Sequence, residues 1–569
     1  VSRLREVATR SPAALLLAQS AVLTAVLTWP TLPRLATDAV GAAGTDTPKH
    51  LWTLWWMRKE LLEGVPGLQT RWVNFPDGME LFPISPLDGL LSLALPASPV
   101  LAANLLALAH VGLLGLCAGW LGWEVVRTRV GAHVVSALAQ GAAFTGFALE
   151  VGVGELRLAW WIPLGLACLV RAHRTRAPRW FAALGLALAG AVLSCFYHGL
   201  FLATATAVWA LVTLERRRDL LLGYALAAGL SLVLVLPIIH TFSASYAAEG
   251  AQLLFPGASA SVDELATPAQ LAGPRTAGYG AGRYLGFLAL GLAAAGVVAA
   301  PRRAAPWVLV ALVSIVLALG PVLRWGGAPV VVGGNGFVLP MAWLNDVLGR
   351  VAEPINFPAR FLAPAMVALA VLGGLATRWR AAALLAPLAV LDILANDGAA
   401  WPRATMQLPP THALAGAAGA GAVADLSMVA SHAEPAVRTR SIAAQLTLAR
   451  PFASVPVERL SAWGSSGDTW LRALPLVQVV TTVELGATPT GASDFREDLW
   501  LLRDRGYERL LLSHTRDTPD ARAEALLTRL CGAPTRTPQV TMWAVPEIAA
   551  TEAEAAAWRQ AQAARLGRR

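Results

Sequence analysis

The chain has 569 residues, 56% of them hydrophobic and only 14% charged, with a mean hydropathy of +0.55. Soluble domains carry about 25% charged residues, so the composition argues against a soluble multidomain enzyme. The net charge of +9 does not point to nucleic acid either: residues 397–569 net only +1, with 18 Arg against 17 acids. The remaining excess lies in short Arg clusters between apolar runs, which is the positive-inside signature of a polytopic membrane protein rather than a groove for phosphates.

Charged residues are about 12% of 1–396 and about 20% of 397–569. This contrast predicts a mainly α fold with a polytopic transmembrane domain over 1–396 and a soluble α/β domain over 397–569. Cys117, Cys168 and Cys195 lie in apolar runs and Cys531 stands apart, so neither a disulfide framework nor a zinc spacing is present.

Stretches of spanning length fall at 11–33, 98–125, 131–149, 156–170, 180–196, 199–214, 220–240, 284–300, 307–323, 360–377 and 381–396, which predicts eleven crossings. The run 180–214 is the doubtful one. As a single helix it would be roughly 52 Å long against a hydrocarbon core of about 30 Å. A turn at Ser194-Cys195-Phe196-Tyr197-His198-Gly199 divides it into two short spans and leaves Arg171 to Arg179 and Arg216 to Arg218 on one side.

With the first residues inside, the inner loops carry 16 basic residues against four acids, and the rest of the membrane part carries 11 against 15. The expected location is therefore the plasma (inner) membrane. The long segments 34–97, 241–283 and 324–359, and all of 397–569, are then extracytoplasmic.

The first outer loop holds Asp38, and then Gly44-Thr45-Asp46-Thr47-Pro48-Lys49-His50-Leu51-Trp52 continuing to Trp55-Trp56-Met57-Arg58. Thr47-Pro48 predicts a helix start. Leu51, Leu54, Trp55 and Leu62 at helical spacing suggest an amphipathic helix lying in the membrane interface. Asp46 then sits just before a helix, as a carboxylate able to serve as general base or as a plain loop acid. Further on, 86–96 is apolar but short, which fits a re-entrant or surface helix.

Glu150 and Glu155 cap spans outside, His198 lies in the outer turn, and Asp392 is an intramembrane acid near the outer end of the last span. Each has a structural reading beside the functional one: turn acid, hydrogen-bonded turn histidine, helix cap. The Gly-rich runs near 326 and 333 lack any nucleotide-loop context.

In the last third, the alanine-rich 412–424 reads as a flexible lead-in. Ala422–Met428, Glu508–Ser513 and Val540–Val545 read as strands, and 436–449, 494–505 and 519–531 as helices. Asp494 and Thr518-Pro519 look like helix starts.

The order of these features, one span, a Gly-x-Asp loop with a Trp-rich helix, many spans and an outer α/β domain, resembles the GT-C superfamily of polytopic glycosyltransferases. The likeness is to bacterial proteins similar to the dolichyl-phosphate-mannose-dependent mannosyltransferases. Supporting segments are Phe75-Pro76-Asp77-Gly78, Gly152-Val153-Gly154-Glu155 with Trp160-Trp161-Ile162-Pro163-Leu164, Glu353-Pro354 with Pro358-Ala359-Arg360-Phe361, and Leu448-Ala449-Arg450-Pro451.

The resemblance implies transfer of a sugar, with inversion, from a polyprenyl-phosphate donor to a glycan, lipid or protein acceptor in the cell envelope. It also implies an acid of the first outer loop as base, Asp46 or alternatively Asp38. Arg360, His50, Glu155 and His198 are the candidate substrate-binding residues. Asp38 and Asp46 stand eight apart, so the sequence supports no metal site and no cofactor. A transporter or flippase of a lipid-linked glycan, or a non-catalytic scaffold, is the alternative; long outer loops and the lack of visible inverted repeats argue against transport.

Overall fold

The computed structural model describes residues 12–63, 69–80, 85–213, 218–249, 258–268, 282–348, 355–399, 401–417, 421–431, 434–454, 466–484, 495–514 and 521–567. The chain forms two compact units, one of 1–43 with 84–406 and the other of 44–83 with 407–569.

The first unit is a helical bundle. All eleven predicted stretches are helical: Pro12–Leu27, Pro99–Val126, Arg129–Gln140 continuing as Ala143–Glu150, Trp161–Thr175, Pro178–Ser194, Phe196–Thr213, Arg218–Glu249, Phe287–Ala299, Pro301–Ala318, Leu362–Leu375 and Arg380–Asn396. Among the described residues, six helices are long and apolar enough to cross a membrane, and three more are apolar but shorter. The doubtful run 180–214 is indeed broken, at the single extended residue Cys195. The stretch 86–96 holds only the seven-residue helix Pro86–Ser92.

Lipid offers no hydrophobic drive for one helix to seek another, so small residues and interhelical hydrogen bonds set the contacts. Gly296 lies against the Leu372 carbonyl so closely that a Cβ there would come within 1.8 Å of the oxygen. Gln140 Nε2 donates to the Ser20 carbonyl and to Thr24 Oγ1, both at 2.9 Å, and Ser20 Oγ donates to the Gly112 carbonyl at 2.7 Å. These bonds tie Pro12–Leu27 to the two helices it packs on. Asp392 accepts from Leu288 N–H at 3.1 Å and Tyr284 Oη at 3.0 Å. It therefore caps the helix Phe287–Ala299, its structural reading.

The second unit is α/β. Its four-stranded sheet runs Thr535–Arg536, Val540–Ala544, Tyr507–Ser513, Ala422–Asp425; the last pair is parallel and the others antiparallel. Helices Pro435–Leu448, Arg496–Asp504 and Ala521–Cys531 match those read from the sequence, and Ser466–Arg472, Pro475–Glu484 and Glu552–Gly567 add to them. Trp470, Tyr507, Leu512 and Trp543 centre the core. The expected starts at Asp494 and Thr518-Pro519 lie outside the described residues.

Two details correct the sequence reading of this unit. The strand expected over 422–428 stops at Asp425, whose carboxylate accepts from Ser427 N–H and Met428 N–H, both at 3.1 Å, and so opens the helix Leu426–Ser431. The lead-in at 412–424 is partly structured: a 3₁₀ helix spans His412–Ala417, with Leu414 fully buried.

The Trp-rich helix begins as predicted, at Thr47, and runs to Glu63. Its surroundings differ from the expectation of an interfacial helix. Trp52 and Trp56 are buried and stacked, centroids 5.8 Å apart, in a cluster with Trp72, Val73 and Ile442. Trp52 Nε1 donates to Gln445 Oε1 at 2.7 Å and Trp56 Nε1 to Glu60 Oε1 at 3.1 Å. An indole with its N–H satisfied by a buried amide is a core residue rather than a headgroup anchor. Residues 44–83, expected as an outer loop of the membrane part, thus fold with 407–569.

Candidate functional site

Within the membrane unit, the polar residues gather where several apolar helices begin or end. Arg360 stands in the 3₁₀ turn Pro358–Phe361 that leads into Leu362–Leu375. Pro358 fixes the approach of the chain, and the side chain is buried, 8% exposed. Its guanidinium lies over two rings, Phe357 at 4.3 Å and Tyr197 at 4.8 Å. Aromatic faces stabilise a cation without using its N–H groups. Arg360 Nε has no hydrogen-bond partner, and no ion pair to Arg360 occurs among the described residues. Glu353, the acid nearest in sequence, lies outside the described residues. Tyr197 Oη donates to Asn356 Oδ1, which fixes the ring beneath the cation.

Arg360 lines a small cavity of about 20 Å³, room for little more than a water molecule, with Phe144, Phe147, Phe357 and Arg283. The two cations differ. Arg283 is held by Glu264 at 2.7 Å, whereas Arg360 keeps its charge for something else.

His198 lies within electrostatic reach of both Glu155 and Arg360. Glu155 belongs to the 3₁₀ turn Gly154–Leu158, and His198 opens the helix Phe196–Thr213. His198 Nε2 donates to the Glu155 and Leu156 carbonyls at 3.0 and 3.2 Å. That bond fixes the tautomer with the proton on Nε2 and makes the histidine a clamp on the turn carrying Glu155.

Arg157, two residues on, donates to the Val40 carbonyl at 3.0 Å and interacts with both Asp88 and Glu155. Asp88 accepts from His110 Nε2 at 2.8 Å, and His110 Nδ1 accepts from Trp160 Nε1 at 3.2 Å. The indole can only donate, so His110 Nδ1 accepts and Nε2 faces Asp88.

Asp38 lies in the strand Asp38–Val40 and is 2% exposed. Its carboxylate accepts from Thr37 Oγ1 at 2.8 Å, Arg34 at 3.3 Å and Thr405 Oγ1 at 3.4 Å. Asn104 Nδ2 donates to the Asp38 carbonyl at 2.7 Å. Both carboxylate oxygens are thus engaged in holding the loop.

Asp46 and His50 belong to the other unit. Asp46 precedes the helix Thr47–Glu63 and pairs with Lys49 at 3.1 Å, and the His50 N–H donates to the Asp46 carbonyl at 3.2 Å. No group of three His, Cys, Asp or Glu placed to hold a metal ion occurs among the described residues.

No protein-family model matches the chain, and no curated protein matches its sequence. Solved structures do match its fold. The arabinofuranosyltransferase AftD from Mycobacteria aligns with a TM-score of 0.54 at 15% identity, over 93% of this chain and 41% of that one. The chain has a GT-C fold. The archaeal oligosaccharyltransferase AglB from Archaeoglobus fulgidus, in complex with an inhibitory peptide and a dolichol-phosphate, aligns over 91% of this chain and 71% of that one. Its TM-score is 0.48 and its identity 12%.

Of the six site residues expected on the GT-C resemblance, the structure brings His198 against the Glu155 turn and within reach of Arg360. It places Asp38 in the same unit, and Asp46 and His50 in the other. The sequence reading missed Asp88, His110, Arg157, Tyr197, Asn356 and Arg283, none of which sits in a recognisable motif. For Tyr197 and Asn356 a signal was there, since both flank residues already singled out. For the pair Asp88 and His110, 22 residues apart, only the fold supplies one.

Two of the supporting GT-C segments prove structural. Phe75 N–H donates to the Phe452 carbonyl at 3.1 Å, Tyr507 Oη donates to the Phe75 carbonyl at 2.7 Å, and Gln445 Nε2 bridges the Trp72 and Arg450 carbonyls. The Phe75-Pro76-Asp77-Gly78 loop and Leu448-Ala449-Arg450-Pro451 thus knit the second unit together.

Proposed function

We propose that the protein is an integral membrane glycosyltransferase that moves a sugar from a polyprenyl-phosphate donor to an acceptor outside the cytoplasm. The observation that carries this reading is Arg360, a buried guanidinium without an acidic partner among the described residues, lining a cavity at the start of an apolar helix. Such a group is matched to the phosphate of a lipid donor, where its planar fork meets two oxygens and neutralises the charge released with the leaving group. Glu155, placed by His198, orients substrate hydroxyls. The GT-C fold supports the reading at the level of architecture.

The acceptor hydroxyl needs a base, and Asp46 is assigned that role. Asp38 is the alternative; its carboxylate is held by Thr37, Arg34 and Thr405, whereas Asp46 has the one ion pair to Lys49. The test is sugar transfer by the purified full chain, with lipid-linked sugars and cell-envelope glycans read by mass spectrometry. Asp46→Asn should lower the rate by about 10²–10⁴ and leave thermal stability almost unchanged. Asp38→Asn should instead lower stability, by about 1–3 kcal/mol for the disturbed buried bonds. Loss of rate in Asp38→Asn with a normal melting temperature, and none in Asp46→Asn, would reassign the base. Full turnover in both would remove the enzyme reading.

A further inference from the structure

A second cation-lined cavity lies at the opposite ends of the same helices. Trp161–Thr175 begins beside the Glu155 turn and ends at the Arg174 cluster; Phe196–Thr213 begins with His198 and passes Trp209 toward the same cluster. Trp209 lies eleven residues beyond His198 and Arg174 thirteen beyond Trp161, so about 16–20 Å of helix separates the two ends.

The second cavity, of about 280 Å³, is lined by Glu124, Arg127, Arg174, Trp209, Arg303 and Trp307, with apolar residues between them. Glu124 is fully buried and holds three guanidinium groups: Arg127 at 2.8 Å, Arg171 at 2.9 Å and Arg174 at 2.6 Å. One carboxylate cannot neutralise three cations. Arg303, exposed in the first turn of Pro301–Ala318, brings a fourth. Among the described residues the cluster is left with a surplus of three positive charges, and each arginine on Glu124 keeps a third or more of its side chain exposed. Arg127, Arg174 and Arg303 line the cavity, while Arg171 lies over the Trp180 ring at 4.5 Å.

A second observation points the same way. Trp209 lines the cavity, and its Nε1 is buried with no hydrogen-bond partner. A buried indole N–H costs free energy until it meets an acceptor. Surplus cations and an unmet donor around one cavity call for an anion rich in acceptor oxygens.

We propose that this cavity binds the phosphate of an anionic membrane phospholipid, in the leaflet opposite the one the Arg360 site faces. The lipid source is favoured over free phosphate because the cavity is walled by tryptophans at the ends of apolar helices, the setting of a headgroup. The site is independent of sugar transfer.

The experiment is native mass spectrometry of the full chain, titrated separately with phosphatidylglycerol, phosphatidylcholine and inorganic phosphate, with Arg303→Gln, Arg174→Gln and Trp209→Phe compared to wild type. Wild type should retain phosphatidylglycerol above phosphatidylcholine. A cation near an anionic headgroup is worth about a fivefold factor in affinity. Arg303→Gln should therefore weaken binding about fivefold, with Arg174→Gln at least as damaging. Trp209→Phe, which keeps a ring but no N–H, should weaken it as well. Arg174 is braced on Glu124 and its loss can perturb folding. Arg303 is exposed and its loss cannot, so equal phosphatidylglycerol affinity in wild type and Arg303→Gln overturns the proposal. Retention of inorganic phosphate without preference for phosphatidylglycerol overturns the lipid assignment.

Discussion

Arg360 is placed against an electrostatic gradient. A cation in the turn that opens a helix faces the positive end of its dipole, at a cost of about 0.3–1 kcal/mol, and burial adds to it. The rings of Phe357 and Tyr197 offset part of that cost, and an anionic ligand would offset the rest. Arg360→Ala should therefore raise the apparent donor KM and lower the rate together. Arg360→Lys should recover little, because a point charge cannot engage two oxygens or stack between rings as a planar fork does. Rescue of most activity by Lys in a donor titration would mean that charge alone matters.

Buried carboxyls of the second unit make a different prediction. Burial pushes the Asp498 carboxyl up to about 6, outweighing its bond from Leu476 N–H and the Arg565 cation; burial likewise pushes Asp425 up to about 6. Both groups hold a proton more tightly when folded than when unfolded. Their effect on stability is therefore most favourable below about pH 4 and is lost as pH rises toward 6. A shift of that size corresponds to roughly 2–3 kcal/mol per group. Asp498→Asn should flatten the fall in melting temperature of the full chain between pH 4 and 6. An unchanged slope in that variant would mean that Asp498 does not titrate there.

At the scale of elements, the bundle depends on close approach at particular glycines. The Leu372 carbonyl occupies the space a Cβ would take at Gly296, while Gly291, on the same helix, has nothing within 4 Å. Gly296→Ala should force the helices Phe287–Ala299 and Leu362–Leu375 apart at a cost of about 1–3 kcal/mol or more. Gly291→Ala should be neutral or slightly stabilising. Thermal unfolding in detergent separates the two, and equal behaviour would mean that the helices move apart freely. The sequence shows the two glycines as equals, since composition marks a small residue but not what faces it. The same divide holds across the fold. Helices are legible where apolar runs are long and flanked by Arg, and a break within 194–199 follows from the length of the run and the Arg clusters on either side of it. The partner of the Trp-rich helix was not legible. Spacing gives Thr47–Glu63 an apolar face but cannot say whether lipid or Ile442 and Gln445 cover it. In the candidate site, Arg360, Glu155 and His198 stood beside prolines, glycines or a span end and could be picked out. Asp88 and His110 are joined only by folding.

For the whole molecule, charge asymmetry and structure make a joint argument about sidedness. Arg127, Arg171, Arg174 and Arg303, from segments far apart in sequence, converge on one end of the bundle around Glu124 and its cavity. Arg378 donates to the Ala299 carbonyl at 2.8 Å, so Leu362–Leu375 travels away from Arg360 and arrives beside the end of Phe287–Ala299. Arg380–Asn396 then returns, and Asp392 near its far end caps the start of Phe287–Ala299. The chain therefore leaves the membrane unit at the end opposite Arg378. Basic residues within a short distance of spans are retained in the cytoplasm, which predicts that the Arg-rich end lies inside, and Arg360 with the departure toward residue 407 outside. Alkaline phosphatase, active only when exported, reports this directly. Fused after Arg569 it should be active, and fused after Arg217 it should be inactive. The reverse pattern would put residues 407–569 in the cytoplasm and end the case for transfer on the outer face, because a polyprenyl-linked sugar presented there would find no Arg360 to receive its phosphate.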